Sequence, residues 1–323
     1  MLIFIIKIVV TPFIVLVFSA LFYNIYIIIT DPHKLFFKNS NLRNLFRSNA
    51  KRVGRTETSG IHKNLIFEII LILTIILLLY FIPFDFGLGY SNFIFDLISI
   101  ILLLFVPSIL ILFYSKGANL LHDPIEYAKR IFSLMLPLII SVISLFVLIE
   151  YTIGISTIID FSSILNFQLN NSIQFLYFRI PALFVFLNPF ATLSFLVSTM
   201  GIIRYNRMLE FDVNGYKFSK IHFLINQLSF FAIISMITAL FFGGGYYFGQ
   251  DLLLNVFLFI VYCLILTLLI SYLDYGRPIV KVEKNKINLF KNFAFIFSMT
   301  SLVFSFIIVS FDLPFIELNI YFT

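Results

Sequence analysis

Long apolar runs constrain this chain more than any other feature of its sequence. About eight segments of roughly 20 residues each are almost entirely apolar, and shorter polar stretches separate them. A helix of about 20 residues crosses the hydrocarbon core of a bilayer. The predicted spans are approximately 8–30, 64–84, 92–115, 131–150, 180–203, 221–242, 252–273 and 287–311.

Composition agrees with a membrane protein, because 61% of the residues are hydrophobic and only 12% are charged. The alternation of apolar and polar residues that is typical of a membrane barrel is absent. We therefore predict one integral membrane domain over 1–323, an all-α polytopic bundle of about eight transmembrane helices. A mixed segment, 161–178, is expected to lie along the surface rather than to span.

Basic residues predict the orientation of this bundle. Of the 22 Lys and Arg residues, 20 fall in the stretches 31–63, 116–130, 204–220 and 274–291, which alternate crossing would place on one side. The positive-inside rule puts these four loops inside and both termini on the outer side. This pattern explains the net charge of +6 without nucleic-acid binding.

Motifs of soluble enzymes are missing from the sequence. It contains no phosphate-binding loop, no zinc-protease motif and no nucleophile elbow. The four histidines lack metal-ligand spacing, and the single cysteine, Cys263, excludes a cysteine-ligated metal or iron–sulfur site. We predict no metal site in this chain and interpret Cys263 as a packed apolar side chain.

Ionisable residues near the ends of the spans are the first candidates for function, since charges are costly to bury in a bilayer. They are Glu68, Asp96, Glu150 and Asp274. Each can be read either as an interfacial residue or as part of a proton path. In the sixth span, Asn226 and Gln227 are interpreted as amides that bridge helices.

The inside loops are the second group of candidates, because they are rich in charges of both signs. In the loop before the fourth span, Glu126, Lys129 and Arg130 would share one helical face. Two interpretations stay open. These loops are either a solvated surface that sets topology, or a face that docks a soluble partner.

Short motifs next to the spans resemble one known family. The fifth span is followed by YNRMLEFDV (205–213), which holds an Asn-Arg pair and a Phe-Asp pair. The sixth span ends in LFFGG (240–244), HKLFFK (33–38) follows the first span, and YGRPIVKVEKNK (275–286) follows the seventh. In this order the motifs resemble subunit 1 of respiratory complex I, the membrane subunit that bears the quinone chamber, and a related subunit of energy-converting hydrogenases.

The resemblance implies a function and a set of site residues. The chain would be a membrane-arm subunit of a proton-pumping NADH:ubiquinone oxidoreductase. It would help to form the quinone chamber, with ubiquinone held at the interface with partner subunits, and would carry no complete active site alone. Its partners would be other complex I subunits, including the iron–sulfur subunits of the peripheral arm, and lipid. The implied chamber and docking residues are Arg204, Asn206, Arg207, Glu210, Asp212, Lys116, Glu126, Lys129 and Arg130.

The sequence also departs from the family pattern. The acidic loop after Phe-Asp is shorter by about a dozen residues, and Arg204 stands where the family has Glu. Two alternatives therefore accompany the first hypothesis, namely a membrane anchor of an energy-converting hydrogenase and a stand-alone secondary transporter. The 44 Phe and the lack of Trp indicate an AT-rich coding sequence, which favours the mitochondrial inner membrane over a prokaryotic cytoplasmic membrane.

Overall fold

The computed structural model describes ten elements of this chain. The helices are α1 (Leu2–Thr30), α2 (Pro124–Ile153), α3 (Phe184–Leu187), α4 (Pro189–Phe211), α5 (Lys220–Phe242), α6 (Leu252–Asp274) and α7 (Lys284–Ser310), with a 3₁₀ turn at Gly243–Gly245 and the strands β1 (Ser172–Phe175) and β2 (Phe178–Pro181). The described residues are 2–30, 73, 124–153, 164–165, 167–168, 172–175, 178–211, 220–245, 252–274 and 284–311.

Six of the predicted spans coincide with long helices. Four of these helices contain stretches long and apolar enough to cross a membrane, namely Phe13–Thr30, Ile131–Tyr151, Leu254–Asp274 and Phe290–Ser310. Shorter apolar stretches occur in α4 and α5. The protein is therefore a helical, multi-pass membrane protein. The predicted spans 64–84 and 92–115 lie outside the described residues, apart from Leu73, which is helical.

Two groups of three helices build the described bundle. Helices α1, α5 and α6 pack on one another and are called the α5 group, and α2, α4 and α7 form the α4 group. The main contact between the groups runs along α4 and α5. Helix α5 lies at the centre of the described bundle, since its side chains from Asn226 to Phe241 are all buried.

Side-chain contacts define the directions of these helices. The Phe195 ring near the start of α4 lies 5.5 Å from that of Phe241 at the end of α5, so these helices are antiparallel. Asn188, just before α4, bonds to Ser305 near the end of α7, so these are antiparallel as well. The ring of Tyr26, near the end of α1, packs at a tilt against that of Phe230 in the first half of α5, with the ring centroids 4.8 Å apart.

Small polar residues join the three helices of the α4 group. The Ser301 hydroxyl donates to Ser144 Oγ at 3.0 Å, and Ser305 donates to the Ser144 carbonyl at 2.8 Å. The Asn188 amide donates to Ser305 Oγ, while its own oxygen accepts the backbone N–H of Ala191 at the start of α4. In a membrane, where apolar burial gives helices no preference for one another over lipid, such small and polar contacts hold them together.

The structure differs from the sequence prediction at three places. A two-stranded antiparallel hairpin, β1–β2, lies within and beyond 161–178, so the described chain is not wholly helical. The fifth span begins at Pro189 rather than at 180, because Pro is favoured in the first turn of a helix. Finally, α4 continues to Phe211 and α2 already begins at Pro124, so parts of two predicted loops are helical.

Candidate functional site

A buried charged cluster lies where three helices of the bundle come together. Asp274, the last residue of α6, accepts a hydrogen bond from the Tyr26 hydroxyl of α1, with 2.7 Å between Oη and Oδ2. The other carboxylate oxygen, Oδ1, lies 3.7 Å from Nε of Arg204 on α4. The side chains of Arg204 and Asp274 are only 10% and 9% exposed. This Tyr26–Asp274–Arg204 arrangement is called the charged cluster.

Helix direction brings these three residues together. Tyr26 lies one turn before the end of α1, Asp274 ends α6, and Arg204 lies in the second half of α4. The contacts therefore require that α1, α4 and α6 run in the same direction and finish at one end of the bundle. Since these helices lead into the basic stretches of the sequence, we call this the basic end.

Electrostatics favours a cation beside Asp274. A carboxylate at the C-terminus of a helix faces the negative end of the helix dipole, which is unfavourable. No basic residue occurs in the last turn of α6 itself. Arg204 supplies the missing positive charge from a different helix, and the Tyr26 hydroxyl supplies a hydrogen-bond donor. The two charges are thus balanced in a nearly dry environment.

Helix α5 closes one side of the charged cluster. The ring of Phe230 packs on Tyr26, as described above, and Asn226 lies one turn earlier on the same face of α5. Asn226 and Gln227 are both buried. That these amides bridge helices stays a prediction.

The structure brings together two residues that the sequence analysis had assigned to different roles. Asp274 was a proton-path candidate, and Arg204 was a candidate for the docking loops. Arg204, however, is not in a loop. It is buried in α4, because the helix continues for two turns beyond the predicted span.

The other predicted site residues are not brought into this cluster by any described contact. Asn206, Arg207 and Glu210 belong to α4, and Glu126 and Arg130 belong to the first turns of α2. Lys129 and Glu150 are exposed, near opposite ends of α2. Glu68, Asp96, Lys116 and Asp212 lie outside the described residues. The prediction of a loop was wrong at residues 206, 207 and 210, since all three are helical.

Sequence reasoning missed Tyr26. A tyrosine within an apolar span near its end reads as one more member of an interfacial aromatic belt. Its burial and its bond to Asp274, 248 residues away, depend on the packing of α1 against α6. The only available signal was a hydroxyl-bearing residue among apolar neighbours.

Within the described part of the chain, no three His, Cys, Asp or Glu side chains are grouped so that they could hold a metal ion. Cys263 is fully buried in α6, and its sulfur lies 3.6 Å from the Thr238 hydroxyl of α5. The interpretation of Cys263 as a packed side chain is confirmed.

Comparison with known proteins adds no relative, since no protein family, curated protein or solved structure matches this chain.

Proposed function

We propose that this protein is the quinone-chamber type of membrane subunit in a complex I-like NADH:ubiquinone oxidoreductase, with its basic end as the face that docks the peripheral arm. The observation that carries this proposal is the meeting of Tyr26, Arg204 and Asp274 at one end of the bundle. Each of the three helices involved leads directly into a segment on which the family resemblance rests.

The residues of the charged cluster lie close to these segments along the chain. HKLFFK begins seven residues after Tyr26, YNRMLEFDV begins directly after Arg204, and YGRPIVKVEKNK begins directly after Asp274. A buried ion pair between helices that lead into these segments would keep the starting points of the segments at a fixed distance from one another. A docking face for a partner protein needs such a rigid base.

Ubiquinone would be held together with partner subunits rather than by the charged cluster. A quinone head group needs hydrogen-bond donors for its carbonyl oxygens. The Tyr26 hydroxyl already donates to Asp274, so it is not directed to a quinone. The redox chemistry belongs to the flavin and iron–sulfur groups of the partners. This chain contributes walls of the quinone chamber, a docking face and buried charge.

A second function, transport by this chain alone, is favoured by the division of the described helices into two groups. Many transporters work by rocking one helical group against another around a central site. Here α4 and α5 form the main boundary between the groups, and the Arg204–Asp274 pair crosses from one group to the other.

Native solubilisation followed by blue-native electrophoresis and mass spectrometry tests the first function. We expect the chain in a large band that also contains flavin and iron–sulfur subunits and stains with NADH. A nickel–iron hydrogenase partner would replace the first function by the anchor of an energy-converting hydrogenase. A small band without redox partners would contradict both and favour the transporter.

A further inference from the structure

We propose that the C-terminal end of α5, away from the basic end, is a binding site for a monovalent cation such as sodium. Its ligands would be Oε1 of Gln168 and the last carbonyl oxygens of α5. This inference rests on the packing around the end of α5, and it is independent of the function proposed above.

Helix α5 ends well short of the start of α6. The Thr238 hydroxyl oxygen of α5 lies 3.6 Å from the sulfur of Cys263, and the ring centroids of Phe242 and Tyr262 are 5.5 Å apart. At about 1.5 Å per residue, these contacts place the last residue of α5 roughly 10–15 Å below the start of α6. The apolar stretch of α6 is Leu254–Asp274. The end of α5 is therefore level with a part of α6 that lies within the membrane.

Carbonyl groups that end a helix at such a depth need partners. The last four have no donor within the helix, and lipid supplies none. Nε2 of Gln168 donates to the carbonyl oxygens of Ala239 and Leu240, at 3.2 and 3.0 Å. The chain then turns away through Gly243 and Gly244, whose φ angles of 66° and 64° favour glycine. Gln168 thus lies directly at the end of α5.

The oxygen of the same amide points to a ligand. The Gln168 side chain is fully buried, and Oε1 accepts no hydrogen bond from the part of the chain that the structure describes. Because Nε2 is fixed on the carbonyl oxygens of α5, Oε1 lies at the same helix end. A buried acceptor without a donor is costly, so a group that this oxygen can bind would stabilise the site.

Electrostatics favours a cation there. The site lies at the negative end of the α5 dipole, and each carbonyl oxygen keeps a second lone pair. Helix ends of this kind and carbonyl oxygens bind sodium in membrane transporters. No carboxylate occurs in α3, in the 3₁₀ turn or in the described residues of 164–168, and the acidic residues of α4 and α6 lie at the basic end. Uncharged ligands suit a monovalent ion, whereas calcium and magnesium usually take carboxylates.

Binding of radioactive sodium to the protein in lipid nanodiscs tests the proposal directly. The full chain, with any subunits that purify with it, would be titrated at constant ionic strength, with choline chloride as the balancing salt. We expect Gln168→Met, which keeps the length of the side chain but removes the amide, to bind one sodium ion per chain fewer than the wild type. Gln227→Met, at a buried glutamine in the first half of α5, is the matched control and should bind as the wild type does.

The buried thiol of Cys263 gives a second readout, because it reacts with a maleimide only when the protein unfolds. Above the dissociation constant, each tenfold rise in sodium should slow this reaction about tenfold in the wild type, and choline should not. Gln168→Glu places an acceptor where the amide donor was, so sodium should stabilise this variant more than the wild type. If Gln168 were only a structural cap, neither protein would respond to sodium.

Two results would overturn the proposal. One is the absence of saturable sodium binding to the wild-type protein. The other is sodium binding that stays undiminished in Gln168→Met, because the ion would then be held elsewhere. If Gln168→Met does not fold, the comparison of sodium with choline in the wild type and in Gln168→Glu still decides the question.

Discussion

At the scale of single residues, the Arg204–Asp274 pair joins α4 and α6, which belong to different helix groups. Each charge is stabilised by the opposite charge of the other side chain. Loss of one partner leaves a buried charge, whereas loss of both leaves two neutral polar groups of similar shape. Stability should therefore depend on the pair and not on either residue alone.

A double-mutant cycle should show this coupling. Asp274→Asn is expected to lower the free energy of unfolding by about 3 kcal/mol, and Arg204→Gln added to it should restore most of the loss. Cys263 provides a built-in reporter, because this single, fully buried thiol reacts with a fluorogenic maleimide only after unfolding. Melting curves in detergent at about pH 8 would be compared. Additive losses from the two substitutions would contradict a coupled pair.

At the scale of helices, α2 and α4 approach closely at Gly201. A Cβ atom at this position would lie 2.8 Å from Cδ1 of Leu134, so the glycine lets the two helices meet. The same group is joined by the hydrogen bonds of Ser144, Ser301 and Ser305. Small residues at a crossing and hydroxyl bonds beside it are the usual means of helix association in lipid.

Gly201→Val should therefore destabilise the protein by about 1–2 kcal/mol, since the larger side chain overpacks the crossing. Leu134→Ala in the same chain should recover part of this loss, because it removes the atoms that collide with the new side chain. Leu193→Val, at an exposed position of the same helix, is the matched control for β-branching. Equal losses for Gly201→Val and Leu193→Val, measured with the Cys263 reporter, would argue against a close crossing.

At the scale of the whole molecule, the helix directions bear on topology. Ser144, late in α2, bonds to Ser301 and Ser305, late in α7, so α2 and α7 are parallel, and because α7 is antiparallel to α4, α2 and α4 are antiparallel. Because α1 and α4 finish at the same end, α1 and α2 also run in opposite directions. The chain thus leaves α1 and enters α2 at the same end of the bundle, which requires an even number of crossings between them. The two predicted spans, 64–84 and 92–115, satisfy this requirement.

Single cysteines introduced into a Cys263→Ala background should report the sides of the membrane. A membrane-impermeant maleimide added to intact cells or organelles should label Ser91→Cys, in the stretch between the second and third predicted spans. It should leave Ser48→Cys and Ser219→Cys unlabelled until the membrane is permeabilised, because the positive-inside rule retains these basic stretches inside. Labelling of Ser48→Cys in intact membranes would reverse the predicted orientation.

The outer helices have wide exposed apolar faces, as expected for a protein that is embedded in lipid. Helix α6 exposes Phe257 and Ile265, and α7 exposes Ile296, Val303 and Phe306. In water such continuous apolar surface would drive aggregation, whereas lipid tails solvate it at no cost.

The sequence by itself determined the class of this protein and the approximate placement of the six long helices that the structure describes. Apolar runs of bilayer length have few alternatives to a helix, because lipid leaves every backbone polar group to be satisfied within the chain. Only the tertiary structure decided that α5 is central, that Tyr26 and Arg204 converge on Asp274, and that α4 carries Arg204 as a buried helical residue. Hydropathy varies little around most of the described long helices, so it does not reveal which face meets another helix. That choice depends on small residues and a few polar contacts between segments far apart in the chain.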